Sequence, residues 1–118
     1  MFNIFKKKIE NNKEDGFSLN DLQKLTIESH NKYVNDKTTY LINVLKYCIK
    51  KSAQDGYYQF STMTNYEDEF KDFYLTASPL EWDNFVITLR NTFSEIKITV
   101  SQNHPYWIDF DWFGNDSD

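Results

Sequence analysis

The sequence predicts an α+β fold: a three-stranded, mainly antiparallel sheet backed by helices, with a long N-terminal helix. Three observations predict it. Ile96, Ile98 and Val100 alternate with Lys97, Thr99 and Ser101, the period of two of a strand with one buried face. Tyr106, Ile108, Phe110 and Trp112 alternate in the same way with Trp107, Asp109, Asp111 and Phe113, and the two runs meet at Asn103-His104-Pro105, where proline suits a turn. Upstream, apolar residues recur at helical spacing over two long stretches.

In chain order, residues 1–16 form an N-terminal arm. Phe2, Phe5 and Ile9 stand among Lys6, Lys7 and Lys8, and no apolar stretch follows to make a signal peptide. Too little apolar area is present there for stable anchoring at a membrane surface. Asn11–Gly16 is polar and turn-like. Residues 17–113 form a single α+β domain, and residues 114–118 an acidic tail expected to be disordered.

Ser18 is the expected N-cap of the first helix, with Asp21 in the capping-box position. Leu22, Leu25, Ser29 and Tyr33 keep helical spacing, and Tyr40 or Leu41, Val44 or Leu45, Cys48 or Ile49 and Ser52 or Ala53 continue it. Gly56 is placed to end the helix in the left-handed region. A straight helix over this stretch would reach about 55 Å, so a bend or break is expected at Asn35-Asp36, where helix propensity is weak. Tyr57–Thr64 reads as a strand, and Asn65 as the cap of a short helix carrying Phe70, Phe73 and Tyr74. Glu67, Asp68 and Glu69 fall in that helix's first turn, where the dipole favours negative charge. Ser78-Pro79-Leu80-Glu81 is a capping box with proline in the first helical position. Trp82, Val86, Leu89 and Phe93 then mark one face of a helix running to about Ser94. The first strand is expected to join the C-terminal ribbon at one edge, with helices on one face and the other face partly open.

Composition narrows the function classes. Aromatic residues make up 18% of the chain, so the core is built largely from rings, which bury much area per residue. The single cysteine, Cys48, excludes an internal disulfide and points to a reducing, cytoplasmic compartment. No apolar run is long enough to span a membrane. Residues 1–64 hold ten lysines against seven acidic residues, net +3, whereas residues 65–118 hold three basic against eleven acidic residues, net −8. An acidic half of this kind suits a basic partner.

Several catalytic and ligand signatures are absent: no glycine-rich phosphate loop, no G-x-S-x-G and no H-E-x-x-H. His30 and His104 belong to no metal-spaced cluster, and Cys48 lies on the apolar stripe as a core thiol. Asp109-x-Asp111 sets two carboxylates about 7 Å apart on one strand face, but no third ligand for Mg²⁺ or Ca²⁺ can be assigned. The reading is therefore of a non-enzyme with no cofactor and no metal. Direct nucleic-acid binding through Lys46, Lys50 and Lys51 is disfavoured, because the aromatic strands carry few basic residues.

The helix ending Ile49-Lys50-Lys51-Ser52-Ala53-Gln54-Asp55-Gly56, the aromatic strand after it, and the ribbon closing on Tyr106-Trp107-Ile108-Asp109-Phe110-Asp111-Trp112 resemble small α+β proteins encoded by bacteriophages and other mobile elements. That resemblance, over roughly residues 40–113, implies a non-catalytic binder: an inhibitor of a host enzyme or defence system, a virion or self-assembling component, or an immunity protein that neutralises a toxin. The expected contact residues are Trp107, Asp109, Asp111 and Phe113, with Glu67, Asp68 and Glu69 second. The expected partner is another protein, one that itself binds nucleic acid being a candidate, and a homo-oligomer is the alternative.

Overall fold

The computed structural model describes residues 17–114. The expected arm and all of the expected tail except Gly114 lie outside the described residues. The chain divides into two compact units, Met1–Asp36 and Lys37–Asp118.

Helix α1 spans Leu19–Gln54 without interruption, so of the bend or break expected at Asn35-Asp36 the break does not occur. The stretch contains no glycine or proline. Asn and Asp cost only about 0.5–0.7 kcal/mol each against alanine in a helix, too little to end one by themselves. Lys32 also reaches forward to Asp36, with Nζ 2.7 Å from Oδ2, an exposed pair one helical turn apart. In the first unit, the Ser18 hydroxyl accepts the Asp21 N–H at 3.1 Å as an N-cap should. Leu19, Leu22, Leu25 and Ile27 are exposed.

The second unit carries the sheet and the core. The late part of α1 buries Leu41, Leu45 and Cys48, the inner half of the stripe, while Tyr40 and Tyr47 stay exposed. Gly56 ends the turn after α1 at φ +94, a conformation that residues with a Cβ rarely adopt. Strand β1 is Gln59–Ser61, shorter than the expected Tyr57–Thr64. It stops because Ser61 caps a helical turn, α2 (Thr62–Asn65), by accepting the Met63 N–H. Helix α3 (Glu67–Thr76) is preceded by Tyr66 and not by Asn65, which closes α2. Helix α4 (Pro79–Thr92) has the full capping box: Ser78 Oγ accepts from Glu81 N–H at 3.1 Å, and Glu81 Oε1 accepts from Ser78 N–H at 2.9 Å. Its buried face is Trp82, Phe85 and Leu89, with Val86 and Phe93 half-buried. Phe85 displaces Val86 from the expected stripe because its ring sits between Phe73 and Trp82, 5.2 Å from each.

Strands β2 (Lys97–Val100) and β3 (Ile108–Asp111) complete a three-stranded antiparallel sheet in the order β1-β3-β2. The first strand therefore joins the ribbon at the β3 side, and β3 is central. Ile98, Ile108 and Phe110 are buried on one face with Phe70, Phe73 and Leu89 in the core. On the other face Gln59, Lys97, Thr99, Asp109 and Asp111 are all exposed. Tyr106 and Trp112, expected in the core beside Ile108 and Phe110, are only half-buried, since both lie beyond the ends of β3.

Among the described residues, no helix is long and apolar enough to cross a membrane.

Candidate functional site

The exposed side of the sheet is set by register. Asp109 lies between Ser61 on β1 and Thr99 on β2, and Asp111 between Gln59 and Lys97. Alternation along β3 puts both carboxylates outward while Ile108 and Phe110 point into the core. Asp111 has local work: its Oδ1 accepts the Phe113 N–H at 2.9 Å, and Lys97 lies directly across the ladder from it. Asp109 faces two hydroxyl-bearing residues, and no cation lies opposite it in either neighbouring strand.

These two carboxylates line a cleft of about 820 Å³. Its lining includes Gln59 and Ser61 from the open face of β1 and Phe60 from the opposite face, together with Tyr47 and Lys51 of α1. Lys51 is already paired with Asp55 across one helical turn, at 3.2 Å. Asp109 and Asp111 share that wall with Lys97, which stands opposite Asp111 and diagonal to Asp109. Such a wall can receive an ammonium or guanidinium group.

The aromatic members of the expected contact set are placed differently. Trp107 lies just before β3, and its carbonyl accepts the Ser101 N–H at 2.9 Å. The indole is half-buried and stacks on the His104 ring at 4.0 Å between centroids. Its Nε1 is buried without a hydrogen-bond partner among the described residues. Phe113 is 55% exposed and meets the Tyr58 ring edge-on at 4.9 Å. Neither ring is sealed into the core, and neither lines the cleft that holds Asp109 and Asp111.

Glu67, Asp68 and Glu69 occupy the first turn of α3, as the sequence predicts. Of the three only Asp68 is exposed; Glu67 and Glu69 are half-buried. Glu69 Oε2 accepts a hydrogen bond from the Tyr40 hydroxyl at 3.2 Å, which ties α3 to α1. That bond and the carboxylate's charge push the Tyr40 pKa up. The cluster is absent from the lining of the Asp109 cleft, so the structure does not gather the first and second contact sets into one cleft.

Two polar residues that position the sheet escape a reading of the sequence alone. Thr62 is completely buried. Its Oγ1 donates to the Tyr106 carbonyl at 3.0 Å and accepts the Ile108 N–H at 2.9 Å, so one hydroxyl fastens the end of β1 to the start of β3. Arg90, the sole arginine of the chain, donates from Nη1 to the Ile98 carbonyl at 2.9 Å. A lone arginine in the last turn of α4 was the available signal, although its role there could equally have been to complement the helix dipole.

Cys48 is a buried thiol. Burial pushes its pKa up, and the Tyr66 hydroxyl pulls it back only in part. Such a sulfur is a poor nucleophile. Among the described residues there is no group of three or more His, Cys, Asp and Glu side chains that could hold a metal ion.

No family model matches the chain, and neither the curated proteins nor the solved structures yielded one similar to it.

Proposed function

We propose that this chain is a small non-catalytic binding factor, encoded by a phage or similar mobile element, that inhibits a host enzyme or defence system in the host cytoplasm. It docks through the carboxylate-bearing side of its sheet. The observation that carries this reading is the position of Asp109 and Asp111. They sit on the central strand, the best-ordered place a small sheet offers, and they face outward beside a cleft. A carboxylate held on a strand keeps its geometry between free and bound states, so little ordering cost accompanies binding. A basic groove, such as one that otherwise receives nucleic-acid phosphates, is the complementary surface.

The test is affinity capture from a bacterial lysate on immobilised wild type, Asp109→Lys/Asp111→Lys and Asp109→Asn/Asp111→Asn. Removing one member of a desolvated charge pair costs about 2–5 kcal/mol, so the lysine form should lose its partner by at least about thirtyfold. The asparagine form controls for folding, because it keeps the carbonyl that the Phe113 N–H uses. Equal retention of every captured protein by all three forms overturns the reading.

A second reading, self-assembly, draws on one observation. A groove of about 750 Å³ is lined by Leu75, Trp82, Ile87 and Val100, and Leu75 and Ile87 are exposed. Exposed apolar area of this kind is an interface signal. Light scattering over a concentration series separates the two: a strict monomer at high concentration removes self-assembly.

A further inference from the structure

We infer that the outer edge of β1 is a peptide-docking edge, which takes an extended segment of a partner protein as a fourth strand. The segment carries basic side chains on one side and apolar side chains on the other. The side-chain part of this inference rests on the proposed carboxylate surface; the backbone part rests on the ladder alone.

Ladder geometry shows which backbone groups are free. The Trp112 N–H donates to the Tyr58 carbonyl at 2.9 Å. Hydrogen-bonded and non-bonded pairs alternate in an antiparallel ladder. The Phe60–Phe110 pair is therefore hydrogen-bonded, and the backbone groups of Gln59 and Ser61 turn away from β3. On the other side, the Ser101 N–H donates to the Trp107 carbonyl at 2.9 Å. By the same alternation, the backbone groups of Ile98 and Val100 turn outward from β2.

The two edges are then treated differently. The outward carbonyl of Ile98 is taken by Arg90 at 2.9 Å, so a side chain of the same molecule occupies one acceptor of the β2 edge. The outward N–H and C=O of Gln59 have no hydrogen-bond partner among the described residues. An unpaired edge is a template for another strand, and proteins usually block one they do not use.

The surroundings of β1 say what kind of strand fits. The Asp109 cleft is lined from both faces of β1, so the free edge lies within it. A strand paired there continues the sheet. Its side chains alternate between two surfaces. On one, Ser61 separates the newcomer from Asp109, a gap that a lysine or arginine can span. On the other, Phe60 and Tyr47 offer rings. Addition of a strand gives affinity through main-chain bonds and selectivity through alternate side chains.

The experiment is amide hydrogen exchange read by NMR on the full chain, with a short capped peptide of alternating lysine and valine. The same peptide, N-methylated at alternate residues so that one edge cannot donate, serves as the control. The unmodified peptide should slow exchange at Gln59 and Ser61 about tenfold or more and leave Ile98 and Val100 unchanged; the methylated peptide should do neither. Perturbation of Asp109 and Asp111 without slowing at Gln59 and Ser61 would overturn the edge while sparing the carboxylate surface. Undiminished slowing in Asp109→Lys/Asp111→Lys would do the reverse. Slowing that grows with protein concentration in the absence of peptide would place a second copy on the edge and overturn the basic-segment assignment.

Discussion

Thr62→Val is the substitution whose effect the structure defines best. Valine matches threonine in shape and replaces the hydroxyl with a methyl. The Thr62 side chain is fully buried, so no water stands ready to replace it. Two backbone groups lose their partner at once: the Tyr106 carbonyl and the Ile108 N–H, at 3.0 and 2.9 Å from Oγ1. Leaving a buried polar group unpaired costs about 1–3 kcal/mol. The carbonyl, being nearer the surface, sits at the low end, and the two together should cost about 3 kcal/mol. At roughly 2 cal/mol/K of unfolding entropy per residue, a chain of this length loses about 4 °C of Tm per kcal/mol, so the expected drop is about 12 °C. Thr62→Ser is the control. It keeps both bonds and removes one buried methyl, worth about 1 kcal/mol, or about 4 °C. Thermal unfolding by circular dichroism, with urea midpoints in parallel, measures both. If valine is as stable as serine, the hydroxyl does not fasten β1 to β3, and the ladder is held by side-chain packing alone.

Two further predictions rest on local features. Gly56→Ala should destabilise by about 1 kcal/mol because φ is +94, although the space around a new Cβ is open; a urea midpoint equal to wild type would contradict the strain. The Cys48 thiol has its pKa raised from an ordinary value near 9.0 by burial. The folded state thus keeps a proton that the unfolded chain gives up. The corresponding stability is present below about pH 9 and is lost as pH rises through the folded value. Tyr66 and Tyr40, both raised from 10.0, add to the loss at higher pH. Urea midpoints should therefore fall from about pH 9 upward, less steeply in Cys48→Ala, and the native thiol should react with a disulfide reagent far more slowly than in urea.

The architecture was legible wherever a residue's role depends on its neighbours in sequence. Alternation in 96–100 and 106–112 marks the two ribbon strands, and the Ser78–Glu81 box marks the start of α4, because those signals are local. What failed was balance between weak local terms. Asn35-Asp36 looks like a break, yet a few tenths of a kcal/mol per residue cannot interrupt a helix that nothing else opposes. Tyr57–Thr64 alternates like a long strand, but the Ser61 cap bond turns the chain into α2 first. The site divides along the same line. The outward position of Asp109 and Asp111 follows from period two. The roles of Thr62, Arg90 and Glu69 depend on partners 44, 8 and 29 positions away, and no spacing rule records those. The separation of the Glu67–Glu69 cluster from the sheet carboxylates is likewise a matter of tertiary placement.

The central claim is that the open side of the sheet is left for another molecule. Carbodiimide labelling of carboxylates, read residue by residue by mass spectrometry, tests it most directly on the free chain and on the chain holding its captured partner. Asp109 and Asp111 should label readily when the chain is free and become protected in the complex, while Asp83 on α4 labels alike in both. Equal labelling of Asp109 and Asp111 in the two states would contradict the claim.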